Sequence, residues 1–118
     1  MDEIIATLKT IRAPIQQGEY DLHQIVMDTL AARGIPFVHE AKLGPRCRID
    51  LLCGGVGLEI KRGKPDRKKL ISQLTRYAGC DGITALVAVC EGSVALPRTL
   101  CGKPVAAICL NKLWGIAL

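Results

Sequence analysis

Arg46-Cys47-Arg48-Ile49-Asp50-Leu51-Leu52-Cys53-Gly54-Gly55-Val56-Gly57-Leu58-Glu59-Ile60-Lys61-Arg62 is the stretch that decides the fold. Residues 48–53 and 56–61 are two strand-like runs, and Gly54-Gly55 between them is a short hairpin signal. A tight turn pairs Cys53 with Val56. Leu52 then faces Gly57, Leu51 faces Leu58 and Asp50 faces Glu59. Directly opposed residues share a face, with Cβ atoms about 4.5–5.5 Å apart. Lys61 lies two positions beyond Glu59 and points the same way. Ile49, Leu51, Leu58 and Ile60 take the other face. The expectation is a hairpin with one apolar face and one face carrying Asp50, Glu59 and Lys61.

Two carboxylates set opposite each other repel, and a solvated face would more naturally alternate signs. A divalent cation removes the conflict, and carboxylates with water are what Mg²⁺ takes. The plainer reading is an exposed polar face on which the pairing is accidental.

On the N-terminal side, Ile4, Ile5, Leu8 and Ile11 have helical spacing over 3–12, closed by Pro14. A second helix is expected from Glu19 to Arg33, stopped by Gly34, with Leu22, Ile25, Val26 and Leu30 as its stripe. Residues 35–40 read as a first strand, with Pro36 confined to its start or to an edge, and Gly44-Pro45 is a turn. On the C-terminal side, Asp66 is the N-cap of a helix reaching Ala78, with Leu70, Ile71, Leu74, Tyr77 and Ala78 inward. Gln73 borders that stripe and can look toward the sheet. Residues 82–89 and 104–110 read as buried strands, and the connector 92–102 has room for one helical turn. The apolar tail 113–118 should pack or meet a partner. The order α, α, β, β, β, α, β, β makes an α/β fold with a mixed central sheet flanked by helices.

The chain of 118 residues is 49% apolar, enough for one core, so a single domain is expected over 1–118: an N-terminal helix and connector, 1–17, then a core over about 19–112. No apolar run is long enough to span a membrane. The acidic start Met1-Asp2-Glu3 lacks the basic beginning of a signal peptide. Six cysteines, none in a C-x-x-C pair, read as buried free thiols of a reducing cytosol. His23 and His39 have no partners at ligand spacing, which argues against a zinc hydrolase.

The net charge of +5 favours an anionic partner. The cations cluster after the hairpin: Lys61, Arg62, Lys64, Arg67, Lys68 and Lys69, continued by Arg76 and bordered by Lys42, Arg46 and Arg48. Asp66 is the sole acid among residues 60–80. Viewed alone this is a solvated helix start. Beside a carboxylate pair it reads as a phosphate-binding surface, and phosphate contacts carry little sequence readout.

The spacing Asp50-x₈-Glu59-x-Lys61 on a β-turn-β unit, followed by a helix with Gln73-x-x-Arg76-Tyr77 and an apolar strand, resembles the PD-(D/E)XK nuclease superfamily. The likeness to this restriction-endonuclease-like fold spans about residues 19–90. It is strongest to compact phage and prophage nucleases, including virus-type replication–repair nuclease domains, and more distant to archaeal Holliday-junction resolvases. The superfamily's proline is absent, since Ile49 precedes Asp50. The resemblance implies Mg²⁺ or Mn²⁺ on Asp50, Glu59 and the Ile60 carbonyl. It makes Lys61 the residue that positions or deprotonates water, and puts Gln73 on that water or on nucleic acid. It also implies a further acid from the first core helix, with Glu19 at the matching position and Glu40 as the competitor. The implied activity is DNA endonuclease cleavage, structure-selective or directed by a recruiting protein, with RNA open and a homodimer expected. The other readings are a nucleic-acid-binding subunit that does not cut and a structural protein with incidental acids.

Overall fold

The computed structural model describes residues 1–11 and 21–113. Glu19, the expected extra acid, and the tail beyond Leu113 lie outside the described residues. The elements are α1 (Asp2–Leu8), α2 (Leu22–Ala32), β1 (Val38–Gly44), β2 (Cys47–Cys53), β3 (Val56–Lys61), α3 (Arg67–Ala78), β4 (Ala85–Cys90), β5 (Thr99–Leu100), β6 (Lys103–Cys109) and α4 (Leu110–Leu113).

The hairpin forms in the expected register: Cys53 pairs with Val56, Leu52 with Gly57 and Leu51 with Leu58. Gly54 adopts φ of 61°, which glycine takes without cost. Gly55 backs onto Thr84, whose side chain occupies the place a Cβ would need, while the Gly55 carbonyl accepts from Thr84 N at 2.7 Å. This joint seats β4 beside β3. Gly57 is equally confined: a Cβ there would lie 2.5 Å from Ile49 Cδ1 and 3.0 Å from Ile83 Cδ1.

The six strands make one mixed sheet ordered β1-β2-β3-β4-β6-β5. β1, β2 and β3 are antiparallel neighbours. β3, β4 and β6 run parallel, with α3 connecting β3 to β4. Parallel neighbours need such a crossover, and burial on both faces explains why all six positions of β4 are apolar and buried.

The two faces carry separate cores. Leu8, Leu22, Val26 and Leu30 of α1 and α2 cover Leu51, Leu58, Ile60, Val87 and Val89. Leu70, Leu74 and Tyr77 of α3 cover Ile49, Leu86, Ala88 and Val105 on the other face. Asp66 caps α3, its Oδ1 accepting from Lys69 N at 3.1 Å, and Asp21 caps α2 by accepting from Gln24 N at 3.2 Å. With Asp21 in extended backbone, α2 begins at Leu22, three residues later than expected.

Further expectations are corrected. Ile49 does not share a face with Leu51: it packs under α3, whereas Leu51 packs under α1 and α2. The change of face coincides with a left-handed φ of 51° at Glu40, between the pairs His39–Leu51 and Ala41–Ile49 of the neighbouring strand. A left-handed residue adds local twist there. The first strand starts at Val38 rather than Ile35 and runs to Gly44, because Pro36 lacks the ladder donor and is left outside. The connector forms β5 instead of a helical turn, closed onto β6 by Cys101 and Gly102 with φ of 51° and 75°, a pair suited to a two-residue hairpin. Leu110 opens α4 rather than ending a strand, and α1 stops at Leu8. The cysteines are all free as expected, but only Cys47, Cys53 and Cys90 are buried; Cys101 is exposed.

Among the described residues, no helix is long and apolar enough to cross a membrane.

Candidate active site

The paired ladder of β2 and β3 stops at Leu51–Leu58, so Asp50 and Glu59 are not the cross-strand pair that a constant register implies. Asp50 takes over the ladder's role with its side chain: Oδ2 accepts from Ile60 N at 2.7 Å. The backbone N–H and C=O of a strand residue point to the same edge. The Ile60 carbonyl therefore faces the same gap as Asp50, at the splayed end of the hairpin.

β3 remains paired with β4 through Glu59–Ala88 and Lys61–Cys90, which fixes the backbone that carries both side chains. They share parity with Gly57 and so lie on the α3 face. Glu59 is only 3% exposed. One carboxylate oxygen, Oε2, lies 3.2 Å from Lys61 Nζ. The other, Oε1, is buried without a hydrogen-bond partner. Burial, and next the negative charge of Asp50, push the Glu59 carboxyl above its usual range, against the opposing pull of Lys61 and Tyr77. Such an acid is poised for a cation: it is already desolvated, one oxygen is uncommitted, and a second carboxylate stands close by.

Tyr77 of α3 lies against this pair. Its hydroxyl donates to the Arg48 carbonyl at 3.0 Å and accepts from Gln73 Nε2 at 2.9 Å. The proton that would satisfy Glu59 is thus spent on β2. Burial, with Glu59 next, pushes the phenol well above its ordinary value, so it stays protonated. Gln73, expected on the active-site water or on nucleic acid, donates to the Tyr77 hydroxyl and borders the open surface of α3.

On the opposite layer, His23 of α2 reaches across, with Nε2 3.9 Å from Asp50 Oδ2 and its ring edge-on to His39 at 5.6 Å between centroids. Sequence spacing missed this neighbour, because the meeting depends on how α2 lies over β1 and β2. Glu40, the rival fourth acid, is exposed on β1. Among the described residues, no three His, Cys, Asp or Glu side chains gather closely enough to hold a metal by themselves. The donor set is therefore two carboxylates and a carbonyl. That suits Mg²⁺, which keeps several waters and is bound through one or two carboxylates plus phosphate. It does not suit a closed zinc site.

The expected cations divide into two groups. Lys61, Lys68, Lys69, Ser72, Gln73 and Arg76 line one open cleft of about 480 Å³. Lys42, Arg46, Arg48, Gln73, Arg76 and Tyr77 line a neighbouring one of about 350 Å³. Gln73 and Arg76 belong to both, so a basic surface runs from the end of β3 across α3 to the β1–β2 turn. Arg76 also lies over the Tyr77 ring, 5.9 Å from its centroid. The other group packs toward the β4–β5 connector. Arg67 Nε donates to the Ala95 carbonyl at 2.7 Å, and Gly92 sits against Lys64. Arg62 is exposed beside them.

Comparison with known proteins gives no match: no family model, curated protein or solved structure resembles the chain closely enough to count.

Proposed function

We propose that this chain is a divalent-metal-dependent nuclease hydrolysing phosphodiester bonds in DNA. The observation that carries the reading is Glu59: a buried carboxylate with one oxygen on Lys61, the other unpartnered, and Asp50 beside it. Nothing in packing alone rewards that arrangement, and a hard cation offsets it. Asp50, Glu59 and the Ile60 carbonyl would hold Mg²⁺ or Mn²⁺. Such an ion, when bound, polarises a phosphoryl oxygen and lowers the pKa of water.

The remaining work falls to the protein. Lys61 leaves Glu59 to orient the attacking water and to stabilise charge building on the phosphate. Lys68, Lys69 and Arg76 neutralise neighbouring phosphates, and Arg48 extends the track. Arg62, Lys64 and Arg67 lie at its far border and contribute longer-range attraction. Gln73 acts through Tyr77, holding α3 against β2. Contacts of this kind grip the backbone and do not read bases. Structure-selective cutting, or recruitment by a partner protein, follows. A homodimer would let two sites cut two strands, which the mass of the DNA complex tests. The restriction-endonuclease-like identity of the fold belongs to the same proposal, supported by acids at the splayed end of a hairpin that leads into a β-α-β crossover. The six free thiols fit the cytosol.

A second reading, binding without cleavage, is favoured by the Lys61–Glu59 ion pair, which partly satisfies the acid without any metal. One assay separates the two. Single-stranded, duplex, flap and four-way-junction DNA, with an RNA control, are incubated with the wild type, Lys61→Ala and Glu59→Ala in Mg²⁺ or Mn²⁺. The wild type should cut and both variants should lose about 10²-fold or more. Equal cutting by all three overturns the proposal. Salt-dependent binding with no cutting selects the second reading.

A further inference from the structure

The sulfurs of Cys47 and Cys80 lie 3.7 Å apart, although 33 positions separate them in the chain. We propose that this pair is a dithiol modification site, which small-molecule disulfides convert into an intramolecular Cys47–Cys80 disulfide. Both backbones are held in place. Cys47 opens β2. Cys80 follows α3, its N–H donating to the Tyr77 carbonyl at 3.0 Å and its carbonyl accepting from Lys103 Nζ at 2.9 Å. A disulfide needs the sulfurs at about 2.0 Å, so bridging draws the two sulfurs from 3.7 Å to that distance.

The two thiols differ in access. Cys80 is half-buried and Cys47 buried. Cys47 lines the cleft of Lys42, Arg46, Arg48 and Arg76, whose charge draws in an anionic reagent such as oxidised glutathione. The Cys80 thiolate attacks the reagent's disulfide, forming a mixed disulfide and expelling one thiolate. The Cys47 thiolate then attacks the Cys80 sulfur and expels the second. The two cysteine protons end on the two expelled thiolates, the protein loses two electrons, and the reagent is reduced to two thiols. Burial holds Cys53 and Cys90 up at about 11 and raises Cys47 as well. Cys80 Sγ donates to the Arg76 carbonyl at 3.6 Å and Cys109 Sγ to the Glu91 carbonyl at 3.4 Å. What singles out Cys47 and Cys80 is therefore the short distance between their sulfurs. Exposed Cys101 should take only a mixed disulfide. The new bond would close a loop containing Asp50, Glu59, Lys61 and Gln73 and clamp α3 onto β2.

The test uses the folded wild type with oxidised glutathione, digested without reduction and read by mass spectrometry. The expected product is a peptide pair joined through Cys47 and Cys80, lighter by two hydrogens and reversed by dithiothreitol. Cys47→Ala should instead retain the glutathione adduct on Cys80. The proposal is overturned by a wild-type Cys80 adduct that never resolves, by bridging of any other pair, or by no bridge at all. None of these outcomes depends on nuclease activity.

Discussion

Replacing Glu59 by Gln should make the metal-free protein more stable and the metal-loaded protein less so. The structure supplies the magnitude. Glu59 Oε1 is a buried acceptor with no partner, an arrangement that costs about 1–3 kcal/mol. Its raised carboxyl adds a pH dependence. The folded value lies above the unfolded one, so the stability linked to this group is fully present below the ordinary glutamate range. It is lost as pH rises through the folded value. At neutral pH without metal, Glu59 therefore opposes folding. Gln keeps an oxygen for Lys61, carries no charge against Asp50, and brings an amide that can donate toward the Tyr77 oxygen. After the weakened bond to Lys61 is subtracted, a gain of about 1 kcal/mol remains, or about 4 °C in Tm for a domain of this size. Metal at a hundred times its Kd stabilises the wild type by about 2.7 kcal/mol and should leave the variant unmoved. Thermal melts in EDTA and in Mg²⁺, at about pH 5 and about pH 7.5, should thus show the two proteins exchanging order on metal addition. In EDTA the variant's advantage should shrink toward the acid end. If Gln melts below the wild type in EDTA at neutral pH, Glu59 is an ordinary ion-pair residue and the metal argument fails.

Three other changes probe the surrounding structure. Gly57→Ala forces a methyl against Ile49 and Ile83, and denaturant unfolding should show a loss of about 1–3 kcal/mol. Tyr77→Phe leaves the Arg48 carbonyl and Gln73 amide without their shared partner, costing about 1–3 kcal/mol by the same measurement. Arg76→Ala, at the junction of the two clefts, should weaken DNA binding and flatten the plot of log affinity against log salt by about 0.9 for duplex. An unchanged slope removes Arg76 from the phosphate track.

The parts of the fold legible in the sequence were those fixed locally. Gly54-Gly55 set the register of three pairs, Asp66 marked the start of α3, and the unbroken apolar run marked β4 as an interior strand. The site was legible as far as those signals reached, which is why Glu59 and Lys61 were found together on one face. What escaped depends on tertiary twist. Ile49 changed faces across the Glu40 irregularity, Asp50 left the ladder to bond Ile60, and His23 met Asp50 across two layers. Gln73 stood on the expected side of α3 and Tyr77 pointed inward as its spacing required, but the bonds joining Gln73, Tyr77 and the Arg48 carbonyl depend on how α3 lies over β2.

The left-handed residue at Glu40 also bears on how the protein behaves at high concentration. β1 is an outermost strand with Val38 exposed, and such a strand invites a second copy to extend the sheet. The irregularity at Glu40 interrupts the outward row of backbone groups, and the charges of Glu40 and Lys42 flank the break. At the other margin β5 is two residues long, too short to template a partner. The β1 margin thus discourages a second copy from adding edge-on to the sheet.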